Sequence, residues 1–86
     1  MRDTEYAQEL RDAGVIRLDE INEGRIERLL VKELGTEEIR FSWWKNGNIT
    51  TRPLDLTEAD LITLFRNAIA NGVFTDHFRS ELRNLL

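Results

Sequence analysis

Few side chains in this 86-residue sequence have the types and spacing that catalysis requires. His77 is the only histidine, and Asp76, Ser80 and Glu81 lie within four residues of it. A serine–histidine–acid triad needs the serine oxygen within hydrogen-bond reach of the imidazole, in a pocket that also holds an oxyanion. One turn of a single helix does not build such a pocket. The spacing therefore favours a polar first helical turn, with His77 and Glu81 as a surface pair.

Three carboxylates, Asp55, Glu58 and Asp60, cluster around a predicted helix start. Two neighbouring carboxylates can act as acid and base when burial separates their pKa values. Negative charge is also favourable at a helix N-terminus, so capping is the preferred interpretation and metal or acid/base work the alternative. The sequence has no cysteine and no glycine-rich phosphate loop, which excludes thiol chemistry and argues against nucleotide chemistry. We expect no cofactor, no metal and no enzymatic activity.

A tryptophan pair, Trp43 and Trp44, carries the strongest binding signal. Asn46 and Gly47 follow it between two β-prone runs, and a type I′ turn needs positive φ at both of its central residues. The sequence therefore predicts a β-hairpin. Its register pairs Lys45 with Asn48, Trp44 with Ile49, Trp43 with Thr50 and Phe41 with Arg52.

Strand alternation places the two tryptophans on opposite faces of this hairpin. Ile39, Phe41 and Trp43 share one face, which we expect to pack in the core. Trp44 and Ile49 share the other, with Arg40 and Ser42. There they could be covered by a C-terminal helix, anchor a protein partner or a second copy of the chain, or stack on nucleic-acid bases. The candidate partner-binding residues are Arg40, Trp44, Lys45, Ile49 and Arg52.

The elements that must position this hairpin are four predicted helices in a single domain, residues 1–86. The first covers about 4–13; the second begins after Asn22, carries an apolar stripe and ends at Gly35. Thr57 caps the third, which Asn71 and Gly72 terminate, and the fourth starts at Thr75. The predicted fold is α+β, helix–helix–β-hairpin–helix–helix, with a two-stranded antiparallel sheet.

The order of helix, turn, helix and basic-tipped hairpin over residues 4–52 resembles the layout of a winged helix-turn-helix domain. In that resemblance residues 45–48 are the wing, which implies nucleic-acid binding. Helix two, as the recognition helix, carries Glu23, Glu27 and Glu33 beside its three basic residues. A helix that reads the major groove is more usually net basic, so we carry over no DNA-contacting residue.

The charge of the chain and the length of its apolar runs bear on its ligand and its compartment. The net charge of −4 argues mildly against a nucleic-acid ligand, although residues 39–53 hold three basic residues and no acid. No apolar run approaches the ~18 residues of a membrane span, and no signal-peptide core is present, so we expect a cytoplasmic protein. We interpret the chain as a non-enzymatic protein-interaction domain, a regulator, adaptor or inhibitor, with nucleic-acid binding as the alternative. Exposed strand edges make a homodimer plausible.

Overall fold

The structure, a computed structural model, describes residues 7–50 and 53–86, without the side chains of 11–13. In that part of the chain an antiparallel sheet precedes two helices. The strands are β1 (Ala7–Arg17), β2 (Asn22–Val31), β3 (Thr36–Lys45), β4 (Asn48–Ile49) and β5 (Leu54–Leu56). The helices are α1 (Glu58–Ala70) and α2 (Asp76–Leu85). β2 lies between β1 and β3, and both β4 and β5 pair with the second edge of β3.

The predicted order of helix–helix–β-hairpin–helix–helix with a two-stranded sheet is wrong, because β1 and β2 occupy the regions assigned to the first two helices. Residues 4–6 of the first predicted helix lie outside the described residues. In β2 the apparent helical stripe divides between two faces: Leu29 is on one, Ile26 and Leu30 on the other. Pairing with β1 and β3 satisfies the β2 backbone on both edges and overrides its helix propensity. The winged-helix layout is therefore wrong as well.

The sheet has two unlike faces, which we name by burial. The sheet is curled, and we call the face that carries the buried residues the inner face. These buried residues are Ala7, Glu9, Glu27, Leu29, Val31 and Trp44. Shifts of register between Glu9 and Gly14 bend β1, as β-bulges do. The outer face carries Ile16, Ile26, Phe41, Trp43 and Leu54, which we call the outer apolar face.

The predicted β-hairpin is confirmed at its turn. Asn46 and Gly47 have φ of 51° and 79°, as a type I′ turn requires. Trp44 pairs with Ile49 and Lys45 with Asn48. The Thr50 amide donates to the Trp43 carbonyl oxygen at 3.0 Å. Further along the strand Phe41 pairs with Leu54 of β5, and Arg52, its predicted partner, lies outside the described residues.

Both C-terminal helices are confirmed together with their caps. Thr57 Oγ1 accepts a hydrogen bond from the Asp60 amide, and Thr75 Oγ1 accepts one from the Phe78 amide, each at 3.1 Å. α1 lies on the outer side of the sheet, where Glu58 forms a 2.9 Å ion pair with Arg28 of β2. Neither helix contains a buried residue. None of the described helices is long and apolar enough to cross a membrane.

The chain is extended for its size. Its accessible surface is 6669 Å², whereas a folded monomer of 10.1 kDa exposes about 5,300 Å². Its radius of gyration is 14.5 Å, against about 12 Å for a compact domain of this length. Much of the apolar surface that a small domain would normally bury therefore remains accessible.

Candidate protein-interaction face

Trp44 is packed inside the chain, with an exposed fraction of 7%. The Arg25 guanidinium carbon lies 4.0 Å from the centroid of its ring, in cation–π geometry. Its Nε1 donates a hydrogen bond to Ser42 Oγ at 2.8 Å. The most prominent residue of the predicted binding set is thus already satisfied by contacts within the chain.

Arg40, the second member of that set, is held by Asp55. Arg40 Nε donates to Asp55 Oδ1 at 2.7 Å and Nη2 donates to Oδ2 at 2.8 Å. Both side chains are about nine-tenths buried, and such a two-pronged contact is strong and directional. Asp55 therefore fastens β5 to β3 on the inner face, which is neither the capping role nor the acid/base role considered from the sequence.

The inner face continues as a polar network. Ser42 Oγ donates to Glu27 Oε1 at 3.2 Å, and Glu27 is only 1% exposed. Arg25 also forms a 3.0 Å ion pair with Glu23, while its Nε has no hydrogen-bond partner. Buried polar groups are costly unless hydrogen-bonded, so this network constrains how the sheet curls.

The remaining predicted residues do not join Trp44 in one exposed patch. Ile49 is 39% exposed beside Trp44, Lys45 is exposed on the opposite face, and Arg52 lies outside the described residues. A role for these five residues in binding stays a prediction.

The groups with catalytic potential are not assembled into a site. His77 is exposed in the first turn of α2, and the neighbouring Asp76 pairs with Arg79 at 3.2 Å. Within residues 7–50 and 53–86 there is no cluster of three side chains able to hold a metal ion.

The outer apolar face is the most distinctive surface of the described chain. Four of its five side chains are half-exposed, Ile16 at 62%, Ile26 at 48%, Trp43 at 45% and Leu54 at 50%, and Phe41 is less exposed. Trp43 was predicted to be core together with Ile39 and Phe41, and its exposure of 45% shows that this choice of the buried face was wrong for Trp43. Trp43 lies opposite Gly24, and its Nε1 donates to Asn22 Oδ1 at 2.8 Å. That bond fixes the orientation of an exposed indole.

An apolar cavity of about 230 Å³ adjoins the outer apolar face where α1 lies above the sheet. Its walls come from both layers: Phe41, Leu54, Leu61, Leu64, Phe65, Ala68 and Phe74. The Phe65 and Phe74 rings, 5.6 Å apart, hold the end of α1 against the segment that leads into α2. The outer apolar face thus presents the exposed Trp43 side chain next to an apolar cavity.

Comparison of the chain with protein-family models, with curated proteins and with solved structures gives no match.

Proposed function

We propose that this protein is a small non-enzymatic interaction domain, a regulator, adaptor or inhibitor, that binds a protein partner through the outer apolar face. The observation that supports this is the row of half-exposed apolar side chains across neighbouring strands. Scattered exposed hydrophobic residues are normal, but a contiguous patch on a small domain is typical of a protein-interaction surface.

The details of the patch also suit an interface. Tryptophan is enriched among the residues that dominate binding energy at interfaces. Trp43 lies at the end of the outer apolar face that is nearest the hairpin turn. Because Asn22 already orients its ring, binding costs less side-chain entropy than it would for a free rotamer. Lys45 and Asn48 lie beyond Trp43, so a polar rim borders the apolar centre.

Nucleic-acid binding, the alternative, has weaker support. Of its three predicted phosphate contacts, Arg40 is tied to Asp55 on the inner face and Arg52 is not described. Lys45 alone is little charge for a surface that contacts phosphates. That alternative predicts affinity that falls steeply with salt, which a titration at two salt concentrations would reveal. The cytoplasm, which we expected from the sequence, stays our proposed compartment.

Site-specific photo-crosslinking in the producing cell tests the proposal. Ile26 on the outer face and Leu34 in the β2–β3 turn are replaced, one at a time, by a photoreactive phenylalanine analogue. Both positions are apolar and exposed, at 48% and 67%, so Leu34 is a matched control. We expect a discrete adduct from position 26 that disappears when Trp43→Ser is added, and none from position 34. Equal labelling from both positions, or an adduct that ignores Trp43→Ser, would contradict the proposal.

A further inference from the structure

We infer that the partner of the outer apolar face is a second copy of this chain, related to the first by a two-fold axis. This inference rests on the proposed function and specifies its partner.

The chain exposes more surface than a folded monomer of its mass. Its accessible surface of 6669 Å² exceeds by roughly 1,400 Å² the area expected for a monomer of 10.1 kDa. A stable interface of ordinary size buries about 800 Å² on each partner. The excess is therefore large enough to supply one such interface. Small domains commonly complete a limited core by oligomerising.

The outer face is also complementary to itself. Trp43 and Phe41 are two residues apart on β3, about 7 Å along the strand. A two-fold axis at the hairpin end of the outer apolar face brings the Trp43 of each copy against the apolar cavity of the other. Phe41 lines the apolar cavity of about 230 Å³, and an apolar cavity of about 150 Å³ already accepts benzene.

The charges permit this contact although the chain carries a net charge of −4. The acids Glu9, Glu27 and Asp55 lie on the inner face, away from the proposed contact. On the outer face, Arg28 is paired with Glu37 at 3.4 Å and Glu58 at 2.9 Å.

The test measures molar mass by size-exclusion chromatography with light scattering, and Kd by sedimentation velocity, over a dilution series of the full chain. We expect twice 10.1 kDa at high concentration. Trp43→Ser should raise Kd by about thirty-fold or more, the effect of removing a central aromatic contact. Ile16→Thr should also raise it, whereas Val15→Thr should not. Val15 and Ile16 are neighbours of similar exposure, 52% and 62%, on opposite faces of β1.

A wild-type monomer at every concentration would overturn the inference, whether or not any variant folds. So would a dimer whose Kd is the same in Ile16→Thr and Val15→Thr, because a different surface would then hold it together. The photo-crosslinking experiment at position 26 distinguishes a failure of the dimer inference from a failure of the proposed function. An adduct with a different protein, from a chain that is monomeric when purified, would refute self-association and leave the interaction domain standing.

Discussion

Replacing each tryptophan in turn by phenylalanine tests the assignment of the two faces. The residues are adjacent in the chain and receive the same substitution, so the comparison isolates their surroundings. We expect Trp44→Phe to destabilise the fold by about 2–3 kcal/mol and Trp43→Phe by about 0.5 kcal/mol.

The difference follows from what each ring contacts. In Trp44→Phe a nearly buried side chain shrinks and leaves a small cavity. Ser42 Oγ also loses its donor, which costs about 1 kcal/mol, and Arg25 loses the ring type that binds cations best. Trp43→Phe loses one hydrogen bond, to Asn22, at an exposed site where water replaces it. A domain of this length is stable by about 4–13 kcal/mol in total, so the first loss is a substantial fraction.

Urea unfolding followed by far-ultraviolet circular dichroism measures both values, with protein dilute enough to keep any dimer dissociated. Each variant retains one tryptophan, and acrylamide quenching of its fluorescence reports exposure in the same samples. We expect Trp43, the residue left in Trp44→Phe, to be quenched more readily than Trp44. Equal losses of stability, or a more readily quenched Trp44, would refute the assignment of inner and outer faces.

Three further predictions concern single contacts. Asp55→Asn should lower the free energy of unfolding, measured by urea titration, by about 2 kcal/mol, because the Arg40 charge loses its two-pronged partner but retains other interactions. As a control, Glu58→Gln removes the partner of an exposed ion pair and should lower the free energy of unfolding by less than about 0.5 kcal/mol. Gly47→Ala should cost about 1 kcal/mol in thermal unfolding because φ at this residue is 79°; no change in Tm would contradict the turn assignment. Hydrogen bonds from the Asn22 side chain and from two backbone amides lower the pKa of Asp19 below its ordinary value of 3.8. Its stabilising effect is therefore present above pH 3.8 and lost as the pH falls through the lowered pKa. The urea midpoints of wild type and Asp19→Asn should accordingly approach each other on acidification from about pH 7 to below that pKa.

Features that depend on local chemistry could be predicted from the sequence. The turn at Asn46 and Gly47 needs two residues that tolerate positive φ, and the sequence supplies them at the required spacing. The caps at Thr57 and Thr75 likewise need one side-chain oxygen in the right place. These signals lie within a few residues, so no knowledge of distant strands is required to interpret them.

Strands β1 and β2 could not be predicted because their pairing is not local. Their buried side carries Glu9 and Glu27 where sequence interpretation expects apolar residues. The period of two is hidden as a result, and the remaining spacing of Ile26, Leu29 and Leu30 matches a helix. The same arrangement explains why the surroundings of Trp44 were left open between a covering helix and a partner: the residue that covers its ring is Arg25, which had been assigned to a helix.

The polar interior and the apolar exterior have one explanation in common. Ion pairs and hydrogen bonds hold the inner face, and they favour one curled shape of the sheet. They bury little apolar surface, however, and burial of apolar surface is the main favourable contribution to folding. The apolar side chains that could make up this deficit are present, but they lie on the outer face. Association through that face would bury them, so binding and the stability of the domain should be linked. Unfolding midpoints should accordingly rise with protein concentration for wild type, and should rise less for Trp43→Ser.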